Sequence, residues 1–187
     1  MADYRDDEIL LAEYQIDRGI DRVARQIASS RKNITTDIPV ILGVLNGAFM
    51  FTSELVRKLH IECYVDFCRV SSYPDGPNLK KKPEITCPPK IDVTGRDVYI
   101  IEDIVDSGET VEHLKQYLSD QGAARIYVVS LVKRVSDTRS LIDFYGVEID
   151  DSWVYGFGLD DNELRRNYRN IYKKCLDEEN TKNAQAT

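Results

Sequence analysis

Glu102 and Asp103 stand side by side at the end of an apolar run, and three residues later comes Asp106-Ser107-Gly108-Glu109-Thr110. Two adjacent carboxylates can hold sugar hydroxyls or a hard cation such as Mg²⁺. The turn after them offers backbone N–H groups, the hydroxyls of Ser107 and Thr110, and a glycine that lets a ligand reach the main chain. If that turn opens a helix, the helix dipole adds to its pull on a phosphate. A generic phosphate turn needs no paired acids in front of it, so both halves of residues 98–110 point to one phosphorylated ligand. The plainer alternative is a strand end whose Asp or Ser only caps the next helix. The chain has two histidines, His60 and His113, so a general acid or base is expected to be a carboxylate.

These groups need elements to hold them. Residues 98–101, Val-Tyr-Ile-Ile, read as a buried strand, and 111–121 as the helix that follows, ended by Gly122. Upstream, residues 4–31 read as a helix, with Ile16, Ile20, Val23 and Ile27 spaced by three and four. Val40–Leu45 reads as a buried strand, 48–59 as a helix, and 61–70 as an alternating strand. Residues 71–90 are polar and rich in proline, which predicts a long loop acting as a lid or binding segment. Further strands are expected at 126–132, Phe144–Ile149 and 153–157, and a frayed polar tail at 176–187. Strands alternating with helices predict an α/β fold with a mostly parallel sheet covered on both faces. Ligands then gather at the carboxyl ends of the strands. The ends at Leu45, Glu102 and Lys133 should share one crevice.

The bulk properties exclude several classes. A chain of 187 residues can bury one sizeable core, and it shows no repeat or composition break. A net charge of −7 argues against general nucleic-acid binding, which wants a basic surface. No apolar run has the length of a membrane span, and the N-terminus lacks a signal-peptide pattern. Cys63, Cys68, Cys87 and Cys175 form no C-x-x-C pair, so a zinc site is not expected and reduced thiols of a cytoplasmic protein are.

The pattern at 98–110 resembles the phosphoribosyl pyrophosphate (PRPP) signature of the type I phosphoribosyltransferases, and it sits in the strand–turn–helix context that signature requires. Further short motifs over residues 35–172, in the expected order, are similar to the hypoxanthine-guanine branch of that family. The resemblance implies the type I phosphoribosyltransferase fold: a mostly parallel twisted sheet with helices on both faces, plus a small hood drawn from the N-terminal residues and about 150–175. It implies one domain over 1–175, and a homodimer or homotetramer. The reaction implied is purine salvage. A 5-phosphoribosyl group passes from PRPP to a 6-oxopurine base, hypoxanthine or guanine, with Mg²⁺ as cofactor, giving IMP or GMP and pyrophosphate.

Residue roles follow from the same resemblance. Asp106 would accept the purine N7 proton as the catalytic base. Asp106, Ser107, Gly108, Glu109 and Thr110 would hold the 5′-phosphate. Glu102 and Asp103 would hold the ribose hydroxyls and one Mg²⁺, with Asp160 near the second. Asn46 and Gly47 match a loop that is usually Leu-Lys-Gly, often has a cis peptide, and binds pyrophosphate through backbone N–H groups. Asn46 replaces the lysine, so a positive charge is lost. Arg166 would also hold pyrophosphate, with Arg169 as the candidate in a shifted register. Ser72 and Tyr73 match a pair on the closing loop, and Lys80, Lys81 and Lys82 after them read as a solvated basic run. Lys133 would contact the purine O6; Ile104, Trp153, Val154 and Asp160 would surround the base. Two rivals share the signature: a pyrimidine-type phosphoribosyltransferase that doubles as an RNA-binding regulator, and a catalytically inactive PRPP-binding module.

Overall fold

In chain order the computed structural model contains β1 (Glu8–Leu11), α1 (Glu13–Ser30), β2 (Val40–Leu45), α2 (Phe49–Lys58), β3 (Tyr64–Tyr73) and β4 (Lys82–Cys87). These are followed by β5 (Asp97–Ile104), α3 (Glu109–Asp120), β6 (Arg125–Arg134), β7 (Phe144–Ile149), β8 (Val154–Tyr155) and β9 (Ile171–Lys173). The described residues are 7–31, 38–73, 82–137 and 141–175. The tail at 176–187, Lys80 and Lys81 lie outside them.

Six strands form the main sheet in the order β4-β3-β2-β5-β6-β7. All its neighbours are parallel except β4, which runs back along β3. The strand faces sort by parity, as the pleat requires. Ile41, Tyr99, Ile101, Val129 and Leu131 face α1 and α2, where Ile16, Ile20, Val23, Ile27, Phe51 and Leu55 complete one core. Val40, Leu42, Val98 and Ile100 face α3, where Leu114 and Leu118 complete the other. Burying each of these side chains is worth about 1.5–3 kcal/mol, which outweighs the modest helix propensity of segments such as α2. Both faces being covered explains why β2 and β5 read as unbroken apolar runs.

The edge away from the strands' carboxyl ends is locked by charge. Asp97 is buried and receives hydrogen bonds from Arg31 at 2.9 Å and from Arg125 at 2.7 Å. Removing one partner of such a group would leave a buried charge uncompensated.

Three expectations are corrected. Residues 8–11 are not the start of the long helix. They form β1, which pairs antiparallel with β9, and β9 pairs with β8 in a separate three-stranded sheet. The helix begins at Glu13, where the Gln15 side chain accepts the Ala12 N–H at 2.9 Å. Residues 71–90 are not all loop: β3 runs on to Tyr73 and β4 returns, with Ser72 opposite Pro83 and Tyr73 opposite Lys82. Pro83 is tolerated because β4 is an edge strand. The strand expected at 153–157 shrinks to Val154–Tyr155, since Gly156, Phe157 and Gly158 all take positive φ.

The connections reverse direction between β2 and β5. From β2 the chain moves outward to β3, and from β5 it moves the other way to β6. A crevice opens at the carboxyl ends of such a pair. The predicted acids and the Asn46-Gly47 loop flank it.

Candidate active site

β5 delivers Glu102 and Asp103 to this crevice. Glu102 is 7% exposed, and its carboxylate receives no hydrogen bond or ion pair from the described residues. Burial and the neighbouring Asp103 push its carboxyl well above the usual range. Asp103 is half-buried, with Oδ1 accepting the Ile104 N–H at 2.9 Å. Its carboxyl is pushed up to about 6, chiefly by burial; Asp160 adds to the shift, while Arg166 opposes it. Two raised carboxylates that the chain itself does not neutralise make a place for an outside cation or hydroxyl donors.

The loop after β2 closes one side. The Leu45–Asn46 peptide is cis. Gly47 packs directly on the Asp103 carboxylate, and a Cβ there would fall onto Oδ2. Only glycine lets the loop and the acid share this space. Gly158, at φ 101°, packs in turn on the Gly47 carbonyl. Its own carbonyl accepts the Arg166 guanidinium at 2.9 Å. The other end of that guanidinium meets Asp160 at 2.9 Å and Glu163 at 3.1 Å. Asn46, Gly47, Asp103, Gly158, Asp160 and Arg166 thus form one cluster. Arg169 pairs with Glu13 of α1 at 3.2 Å instead, so of the two candidates Arg166 stands at this cluster.

The turn after β5 closes the other side. Gly108 takes φ 75° and caps α3, and its carbonyl accepts the Glu112 N–H at 2.9 Å. The Glu109 N–H points to the Ser107 hydroxyl at 3.4 Å. Asp106 is exposed, with Arg134 Nε 3.9 Å from Oδ1. Arg134 also donates to the Ser152 carbonyl at 2.7 Å, tying this turn to the segment that carries Trp153.

The predicted base-binding residues are less uniform. The Lys133 ammonium lies 5.1 Å over the Tyr145 ring, a cation–π contact near the end of β6. Trp153 is 58% exposed, so it does not fill the core, whereas Val154 is buried. Ile104 is half-buried against the larger core. Ser72 and Tyr73 close β3. His113 is exposed, and all four cysteines are free, with the Cys68 thiol pushed up to about 12 by burial.

Sequence reasoning missed Arg69, Arg134 and Gly158. Arg134 follows the singled-out Lys133, and that adjacency was its only signal. Gly158 had none beyond being a glycine.

Residues 8–162 match the family described as the phosphoribosyl transferase domain. The chain belongs to the phosphoribosyltransferase family. Among its relatives, the hypoxanthine phosphoribosyltransferase of Escherichia coli (strain K12) is 32% identical over 171 residues, covering 90% of this chain and 96% of the relative. The hypoxanthine-guanine phosphoribosyltransferase of Bacillus subtilis (strain 168) is 33% identical over 163 residues, with 86% and 89% covered. The crystal structure of the L. donovani hypoxanthine-guanine phosphoribosyltransferase superposes with a TM-score of 0.83 at 28% identity, covering 90% of this chain and all of that one. The type I phosphoribosyltransferase fold expected from the signature is therefore the fold found. Among the described residues no helix is long and apolar enough to cross a membrane.

Proposed function

We propose that this phosphoribosyltransferase moves the 5-phosphoribosyl group of PRPP onto hypoxanthine or guanine, releasing IMP or GMP and pyrophosphate. The reading is supported by the raised acid pair at the end of β5, the Gly108-capped turn that follows it and the Gly47 loop packed against Asp103 beside Arg166. The names of the relatives support the purine class. Those names and the acidic surface both disfavour the pyrimidine-type, RNA-binding alternative.

In this reading the backbone of 107–110 and the hydroxyls of Ser107 and Thr110 receive the 5′-phosphate at the start of α3. Glu102 and Asp103 take the ribose hydroxyls. They also suit Mg²⁺, which is bound by one or two carboxylates and completed by substrate oxygens and water. Asp160 would stand near a second Mg²⁺ once Arg166 turns to the substrate. Bound Mg²⁺ would supply charge neutralisation on the leaving pyrophosphate. The N–H groups of the 46–47 loop and the Arg166 guanidinium bind the same leaving group, and this fixed charge carries most of the rate. As purine N9 bonds to the sugar C1′ and pyrophosphate departs, N7 gives its proton to the Asp106 carboxylate. Lys133 donates to the purine O6, a contact that adenine cannot return.

Steady-state turnover with PRPP, Mg²⁺ and each purine base tests this reading. IMP and GMP should form and AMP should not. No product with any base would leave only a PRPP-binding module. Lys133→Ala should weaken hypoxanthine binding by about 10–100-fold, the worth of one hydrogen bond to a charged group, with PRPP binding barely changed. Equal losses for both ligands in titration calorimetry would contradict its role at the base.

A further inference from the structure

The loop at 45–47 carries no charge of its own, since position 46 is asparagine. A cation nevertheless stands beside it. The parallel register of β2 and β3 sets Leu45 opposite Arg69. From there the Arg69 guanidinium reaches the loop, and Nη2 donates to Asn46 Oδ1 at 2.8 Å.

The two guanidiniums around this loop differ in what they hold. Arg166 is matched by two carboxylates, Asp160 and Glu163. Arg69 touches a neutral amide and has no carboxylate partner among the described residues. Asp66, the acid on the same strand, is occupied by the backbone N–H groups of Phe67, Lys90 and Ile91. Arg69 is exposed, and the hydrogen bond to Asn46 holds its guanidinium at the loop. A guanidinium has five N–H donors in a planar fork, and this bond uses one. Asn46, the residue it holds, lines a cavity of about 460 Å³ together with Phe49, Glu163, Arg165 and Arg166.

We propose that Arg69 is the cation of the pyrophosphate loop, aimed by Asn46 so that its free donors meet the pyrophosphate of PRPP. The proposal rests on the phosphoribosyl-transfer reading and adds a residue to it. Asn46 is then a positioning residue. Its carbonyl oxygen replaces a local positive charge by recruiting one from the neighbouring strand.

The test is binding of inorganic pyrophosphate with Mg²⁺ to the full chain by titration calorimetry, together with the KM for PRPP. Arg69→Ala should weaken pyrophosphate binding and raise the PRPP KM by about 10–100-fold, with the hypoxanthine KM within about twofold. Arg69→Gln, which keeps a donor for Asn46 but no charge, should show the same loss. Adding Asn46→Lys to Arg69→Ala should recover most of it. Wild-type pyrophosphate affinity in Arg69→Gln, or no recovery in the double variant, overturns the proposal. A wild-type chain that makes no IMP overturns the underlying activity instead, so the two failures are read separately.

Discussion

Asp106→Asn should lower turnover by about 10²–10⁴-fold while the affinity for PRPP stays within a few-fold of wild type. The carboxylate sits on the turn between β5 and α3, exposed to the crevice and next to Arg134. An amide of the same shape keeps the turn and its N–H groups, so the 5′-phosphate should still bind. It cannot take the N7 proton, and the base must then leave that proton to water without a positioned acceptor. Single-turnover kinetics and PRPP titration calorimetry on the same sample separate the two effects. Unchanged turnover would make Asp106 a turn residue and no more.

Asp103→Asn should have an effect at least as large on activity, and the opposite sign on stability. In the proposed reaction the substitution removes one of two carboxylates that would hold the ribose and a cation, so turnover should fall on the order of 10³-fold or more. The free protein should gain. The Asp103 carboxyl titrates near 6 when folded, against an ordinary 3.8, so the folded chain binds that proton more tightly than the unfolded chain. Stability therefore falls as the pH rises from about 4 to about 6, and it stays lower above that. An asparagine has no such loss. Metal-free Asp103→Asn should melt a few degrees above wild type at pH 7.5, and the gap should close near pH 4. A variant that is inactive but no more stable at pH 7.5 would show that the acid pair carries no strain. Strain of that kind is what a site suited to binding a cation should hold.

Much of this site was legible because its signals are local. Residues 98–101 are apolar on both faces and end in acids, and only a strand buried between two helix layers needs that pattern. The turn chemistry of 106–110 follows within five residues. What stayed hidden depends on partners far away in the chain. Glu8–Leu11 is a strand only because Ile171–Lys173 lies beside it, and its four residues fit a helix pattern equally well. The β3–β4 hairpin was masked by a proline that an edge strand tolerates. Arg69 looked like one charged residue in an alternating strand. Its meaning appears only when register sets it opposite Leu45 and the Asn46 side chain turns to meet it. Gly158 reads as an ordinary loop glycine until the Gly47 carbonyl is seen against it.

A crystal structure of the chain with PRPP and Mg²⁺ tests the central claim most directly. The 5′-phosphate should lie on the N–H groups of 107–110, the ribose hydroxyls and the metal on Glu102 and Asp103, and the pyrophosphate between the 46–47 loop and Arg166. A sugar-phosphate bound away from the carboxyl ends of β2 and β5 would contradict the account.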